Sequence, residues 1–343
     1  MDSHETDPER MNAMQSAGAA RAIAHANFAL VKYWGKRDAA LNLPDVGSIS
    51  ITLDALWSET EIVVDAALDD DRFELDGGRD EAAARRVTAL LNRFREQSGH
   101  AAHARIRSRN NFPTGAGLAS SASGFAALVT AASAAYGLGL PAERLSALAR
   151  IGSGSAARSI FGGFVEMARG ERDDGTDAVA APLAAASDWP LDVVIAVSDT
   201  GRKAVGSTEG MQRTAETAPF YRAWVENQPR DLAAARDAIA RRDFAALAAV
   251  SEASALAMHG LAMSARPGLI YFNATTVECL HRVRQLRSQG LAVFFTVDAG
   301  PQVKAVCLPG AADAVADALA DAPGVRRVLR SGLGRAARLL APA

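Results

Sequence analysis

Four short stretches of this chain concentrate residues able to do chemistry on anions. Asn27-Phe28-Ala29-Leu30-Val31-Lys32-Tyr33-Trp34-Gly35-Lys36-Arg37-Asp38 crowds three cations and two large aromatics around one glycine. Cations so close repel one another, and a phosphorylated ligand among them would relieve that repulsion. Surface lysines beside a buried Trp would give the same pattern. Asn110 to Gly124 is a loop of small residues that runs through Gly115, Ala116, Gly117, Leu118, Ala119, Ser120 and Ser121 into an apolar helix. Small side chains let backbone N–H groups approach an anion, and the helix start adds partial positive charge. The loop lacks the Walker lysine, and a Ser-capped helix after a Gly turn reads the same way.

A second small-residue turn, Gly152-Ser153-Gly154-Ser155-Ala156-Ala157-Arg158-Ser159 with Gly162-Gly163 after it, ends in an arginine. The Arg158 fork suits a carboxylate, and the serines suit phosphate oxygens; a helix cap with a surface Arg is the plainer alternative. In Phe294-Phe295-Thr296-Val297-Asp298-Ala299-Gly300-Pro301 an apolar strand delivers one carboxylate to a Gly-Pro turn. A charge there is costly unless paired or useful, which makes Asp298 a candidate for proton handling, with a turn-capping Asp as the alternative.

Strand-like runs that would position these stretches occur at 48–53, 59–64, 104–109, 191–197, 291–297 and 303–308, rich in β-branched or aromatic residues. Helical periodicity covers 81–97, 121–136, 142–151, 232–241, 244–259, 275–288 and 311–319. The irregular order predicts an α+β architecture rather than a doubly wound sheet. Residues 1–18, acidic and without an apolar run, read as a disordered extension, not a signal peptide. A boundary near residue 190 separates halves at 19–190 and 191–343, and Arg230 to Asp243 reads as a solvated helical face.

Composition narrows the partners. The 343 residues are 49% hydrophobic and 22% charged, enough for a sizeable core, and the net charge of -2 offers no broad basic field for nucleic acid or an anionic membrane. The apolar run 125–140 is too short and too interrupted for a comfortable span. Two cysteines, Cys279 and Cys307, make neither a disulfide framework nor a zinc cluster, which fits a reducing cytoplasm.

The four stretches in this order, with Ser207-Thr208-Glu209-Gly210-Met211, resemble the diphosphomevalonate decarboxylases of the GHMP kinase superfamily, from about Ala24 to Leu308. The resemblance implies an N-terminal half with a left-handed βαβ phosphate-binding unit, a ferredoxin-like C-terminal half, and a deep cleft between them. It also implies ATP-dependent decarboxylation of mevalonate 5-diphosphate to isopentenyl diphosphate through transient 3-phosphorylation. By matching position, Gly115 to Ala119 with Ser120 and Ser121 would cradle ATP and its Mg2+, the metal arriving with the nucleotide. Tyr33, Lys36, Ser153, Ser155, Gly210 and Met211 would hold the substrate diphosphate, and Arg158 with Asn27 its carboxylate. Asp298, with Lys32 beside it, would serve the 3-hydroxyl. The family habit is a homodimer.

Three departures stand out. The chain reads Ala24-His25-Ala26-Asn27 where the family has Ala-Pro-x-Asn, and Asp45-Val46-Gly47-Ser48 where Asn-Ser-Ser is usual; Gln302 replaces Asn after the Asp298 turn. Decarboxylation of mevalonate 5-phosphate, a kinase that stops at 3-phosphorylation and a non-catalytic nucleotide-binding protein are the alternative readings. Intact Lys32, Arg158 and Asp298 complete the decarboxylating set and argue against the kinase, and intact Asp298 and Arg158 argue against the non-catalytic protein, because buried charges with no task cost stability.

Overall fold

The computed structural model describes residues 18–113, 118, 120–199, 201 and 204–341. The expected extension before Gly18, and Gly115, Ala116, Gly117 and Ala119 of the small-residue loop, lie outside the described residues.

The first half runs β1 (Ala19–Val31), β2 (Lys36–Asp38), β3 (Leu43–Pro44), β4 (Ser48–Asp65), β5 (Arg72–Leu75), α1 (Glu81–Ser98), β6 (His103–Asn110), α2 (Ser120–Ala135), α3 (Ala142–Gly152), a 3-10 turn (Gly154–Ile160), β7 (Phe164–Met167) and β8 (Ala180–Ala184). The second runs β9 (Asp192–Val197), α4 (Ser207–Thr217), α5 (Tyr221–Arg241), α6 (Phe244–Met263), α7 (Ala274–Ser288), β10 (Val293–Val297), β11 (Val303–Cys307), α8 (Ala312–Ala320), β12 (Arg327–Ser331) and β13 (Arg338–Leu340). The expected α+β class holds.

One sheet has the order β13-β1-β4-β6-β5, with β7 on β4 and β8 on β7. Its pairs are antiparallel except β5 and β6, which run parallel across α1 in a βαβ crossover. The other sheet is antiparallel in the order β10-β11-β9-β12. Through β13 the chain's end returns to pair with β1 of the first sheet.

Two sequence expectations change. The runs at 48–53 and 59–64 are one strand, β4, in which Leu53 to Leu56 stand opposite the single residue Ala26 as a wide bulge. The turn-like Asp54 sits in that bulge and accepts from Ser331 and the Gly332 N–H. β1 escapes pattern reading because its alanines carry no strand signal. Ala22, Ala24, Ala26 and Ala29 are all buried, and the small side chains of Ala22 and Ala24 let α2 lie close on β1.

A single core joins the two sheets. Phe28, Leu30, Ile49 and Ile51 of the first meet Val193, Ile195, Phe294 and Val306 of the second, with Leu232 and Leu247 between. α6 is long and apolar enough to cross a membrane by length and composition, but it packs on β1 and β10 with Leu247, Val250, Ala255 and Leu261 buried. α5 buries Leu232, Ala235, Ala238 and Ile239 along one stripe and turns Arg230, Arg236 and Asp237 to solvent, as expected of its charged segment.

Because the core is shared, the two halves should unfold together. Phe294→Ala, which empties a fully buried site beside Phe244, is expected to cost about 3–5 kcal/mol. Far-UV circular dichroism and tryptophan fluorescence should shift by the same amount in one denaturant transition. Two separated transitions would show independent halves.

Candidate active site

A cavity of about 780 Å³ lies between the halves. Its walls are the end of β1 with residues 32–36, the start of α2, the Gly152–Arg158 turn, the start of α4 and the turn after β10. Among the described lining residues are four cationic side chains, Lys32, Lys36, Arg86 and Arg158, and one carboxylate, Asp298.

Asp298 leaves the second sheet at the end of β10, and Lys32 leaves the first at the end of β1. Lys32 Nζ donates to Asp298 Oδ1 at 2.7 Å and to the Ala29 carbonyl at 2.8 Å. Burial pulls the Lys32 ammonium down to about 8, against the opposing pull of Asp298. Burial by itself would push the Asp298 carboxyl up, but Lys304, 3.2 Å from its Oδ2, and Lys32 outweigh it and hold the group well below the usual carboxylate range.

Arg158 is 2% exposed and no carboxylate among the described residues lies in ion-pair range of it. Its Nη1 donates to Ser48 Oγ at 2.6 Å and its Nε to Asn27 Oδ1 at 3.3 Å. The Asn27 amide in turn donates to Ser159 Oγ at 2.7 Å and the Ser155 carbonyl at 3.0 Å. Burial lowers the guanidinium to about 10, against the weaker opposing pull of Asp298 beyond ion-pair range.

A second group of residues lies farther along the cavity. The Tyr33 hydroxyl is buried without a hydrogen-bond partner, against Gly154, where a Cβ would stand 2.3 Å from it. Lys36 Nζ sits 3.2 Å from Thr208 Oγ1, and burial, then Arg86, lowers the ammonium to about 8. The Arg86 guanidinium rests 4.6 Å over the Phe125 ring and donates to the Gly152 carbonyl. Ser153 Oγ lies 3.3 Å from Ser121 Oγ and 3.4 Å from Ser155 Oγ. Three sets of small residues thus meet around the cations.

Met211 lines the cavity, whereas Gly210 is inside α4, under Trp34 and Tyr271, with its N–H bonded to the Gly206 carbonyl. Gly206, Ser207 and Thr208 line the cavity beside Met211, at the start of α4, where the first N–H groups of a helix have no intrahelical acceptor. Leu118 is buried in the shared core with Phe112, which leaves only its backbone for a ligand.

A smaller cavity of about 160 Å³ shares Arg86, Ser120 and Ser121 with the larger one. Phe73, Phe125 and Leu128 give it apolar walls, and Ser108 and Asn110 a polar edge. Pattern reading missed this pocket, whose lining is scattered over five elements. It also missed Arg86 and Lys304, although a lone lysine in the apolar run Val303–Cys307 is a signal of the same kind as Asp298.

The three departures have structural accounts. His25 contributes its carbonyl, which accepts from Ser159 Oγ at 2.7 Å, while burial lowers its ring. Gly47 has no room for a side chain, since a Cβ would stand 2.8 Å from Leu232, and Ser48 supplies the polar contact to Arg158. Gln302 accepts from the Ser198 N–H and donates to the Asp199 carbonyl, holding the end of β9.

Among the described residues no three His, Cys, Asp or Glu side chains could hold a metal ion. The donors at the mouth of α2 are the hydroxyls of Ser120 and Ser121, which fits a cation carried on nucleotide phosphates and not one caged by protein.

Comparison with known proteins agrees with this geometry. The chain matches the diphosphomevalonate decarboxylase-like N-terminal domain over residues 24–180 and the mevalonate 5-diphosphate decarboxylase C-terminal domain over residues 193–324. It is 40% identical over 308 residues to the diphosphomevalonate decarboxylase of Ganoderma lucidum, covering 82% of this chain and 76% of that one. The structure of mevalonate diphosphate decarboxylase from Staphylococcus aureus superposes with a TM-score of 0.88 at 35% identity, over 94% of this chain and 98% of that one. A structure of MDDEF in complex with MVAPP, AMPPCP and magnesium superposes with a TM-score of 0.86 at 38% identity, over the same shares. A cavity floored by a doubly held carboxylate and an arginine without an anion is thus shared out between two matched domains, and the chain belongs to the diphosphomevalonate decarboxylase family.

Proposed function

We propose that this chain uses ATP to decarboxylate mevalonate 5-diphosphate to isopentenyl diphosphate, with Asp298, Lys32 and Arg158 as its catalytic residues. The observation that carries the reading is Arg158, a buried cation that faces the cavity beside Asp298 with no anion of its own. The substrate carboxylate supplies that anion through two parallel hydrogen bonds, with Asn27 and Ser48 fixing the fork. Tyr33, Lys36, Ser153 and Ser155 hold the diphosphate, with Arg86 and Thr208 beside them. The smaller cavity takes the nucleoside, so that the phosphates run past Ser120 and Ser121 toward Asp298.

The 3-hydroxyl oxygen attacks the γ-phosphorus, the bond to ADP breaks, and the hydroxyl proton passes to Asp298. The bond between carbon 3 and the new phosphate then breaks, and the electron pair released with carbon dioxide forms the double bond. Bound Mg2+ supplies neutralisation of charge on the phosphate oxygens. The chain's own contribution is positioning and fixed charge, which carry most of a phosphoryl transfer. A family member of this kind is proposed to work as a homodimer in the cytoplasm, in two functional halves that meet near residue 190.

Turnover should be measured with mevalonate, its 5-phosphate and its 5-diphosphate in parallel, following ADP and carbon dioxide together. Equal yields, greatest with the diphosphate and reduced about 10²- to 10⁴-fold in Asp298→Asn, are expected. Preference for the monophosphate, or ADP without carbon dioxide, would replace this reading with the sibling decarboxylase or the kinase.

The lysines set an alkaline limit. Lys32 and Lys36 act as cations and lose their protons near pH 8 in the free enzyme, so kcat/KM should fall above that pH. The limb in kcat should lie higher, because bound phosphate favours the ammonium. A kcat/KM profile flat to pH 10 would contradict the roles given to both lysines.

A further inference from the structure

Asp298 is held by two ammonium groups of unlike placement. Lys32 donates to Oδ1 and lines the cavity; Lys304 lies 3.2 Å from Oδ2 and forms no part of the cavity wall. Lys304 is the second residue of β11, 2% exposed, with its ammonium 5.9 Å from the Phe28 ring centroid. β11 lies between β10 and β9, so its backbone is paired on both sides. Lys304 is therefore anchored in an interior strand of the second sheet, whereas Lys32 stands where the first sheet ends and the cavity begins.

On the reading above, the reaction brings a substrate carboxylate and the γ-phosphate close to Asp298. Like charge at that distance favours protonation of the carboxyl. A single ammonium would also be divided between Asp298 and the transferred phosphoryl group. We propose that Lys304 is the resident counter-ion of Asp298, a positioning residue that keeps the carboxylate ionised and oriented while Lys32 turns to the group being transferred. Each carboxylate oxygen keeps a second lone pair beside its ammonium, so the doubly held group still accepts the hydroxyl proton.

Among the described residues, the charged and titratable groups that face Asp298 come from four places in the chain. They are Lys32 after β1, Lys304 on β11, Arg158 in the 3-10 turn and His259 on α6, whose ring burial lowers to about 3 and so keeps neutral. Loss of Lys304 removes one cation from this set and leaves the substrate's negative charge in place. The carboxyl then protonates at higher pH, and activity disappears as pH falls through that value. The consequence is an acid limb from Asp298 that lies at higher pH than in the wild-type chain.

The experiment measures kcat and KM for mevalonate 5-diphosphate against pH in the full chain and in Lys304→Met, Lys304→Gln, Lys304→Arg, Asp298→Asn and the Asp298→Asn/Lys304→Met double variant. Lys304→Met and Lys304→Gln are expected to lower kcat at neutral pH by about 10- to 100-fold with KM little changed. They should also bring an acid limb above about pH 4. Lys304→Arg should restore both, and Lys304→Met should add no loss to Asp298→Asn. A wild-type pH profile in Lys304→Met and Lys304→Gln, or a further loss in the double variant, would overturn the role of Lys304. A wild-type chain that releases no carbon dioxide, or an Asp298→Asn variant with full turnover, would instead overturn the reading of the site on which that role stands.

Discussion

A carboxylate held between two ammonium groups is the point on which the two halves of this molecule converge. Asp298 and Lys304 belong to the second sheet and Lys32 to the end of the first, so the cluster exists only when both sheets are docked. The shared core of Phe28, Ile49, Val193 and Phe294 enforces that docking. Apolar burial here does what the ions cannot, since a buried ion pair seldom repays its own desolvation. The division of labour is clear: non-directional packing brings the sheets together, and directional charge sets the geometry at their seam.

The geometry around Arg158 follows from the same docking. Asn27 from β1 and Ser48 from β4 reach the guanidinium from adjacent strands, and Ser159 closes the ring of hydrogen bonds through Asn27 and the His25 carbonyl. None of these partners is an anion. The fork is fixed in direction and has no carboxylate in ion-pair range among the described residues, a state that suits recognition of a carboxylate brought by a ligand. The short side chains of Gly152 to Ser155 serve a related end, because bulk at Gly152 or Gly154 would meet Phe125 or Tyr33.

Residues that carry charge into apolar surroundings were legible in the sequence, and so were the helices with clear periodicity. Asp298 after Val293–Val297 is the plainest case, since nothing local neutralises it. Lys304 carries the same signal, but inside a strand and without the glycine and proline that mark the turn at Asp298. Arg86 was illegible for another reason. It lies on the surface stripe of an amphipathic helix, and only the fold turns that stripe toward Gly152 and Lys36. β1 was hidden by alanines, of which Ala22 and Ala24 are small beneath α2, and the continuity of β4 by an Asp that serves Ser331 instead of a turn. For Arg86, β1 and β4 the deciding contact spans more than twenty residues of sequence, beyond the reach of local pattern.

The cavity's charge explains why so selective a site can sit in a chain of net charge -2. Four cations against one carboxylate leave the described lining strongly positive, and burial has already drawn Lys32 and Lys36 toward neutrality near pH 8. An entering diphosphate therefore does two things at once. It satisfies cations whose solvation was lost on folding, and it raises the proton affinity of those two lysines, so that ligand binding completes the protonation state that phosphoryl transfer requires. A neutral or singly charged molecule of the same shape would leave part of that charge unmet. Selectivity for a highly anionic substrate thus follows from how little negative charge the protein itself places in the cleft.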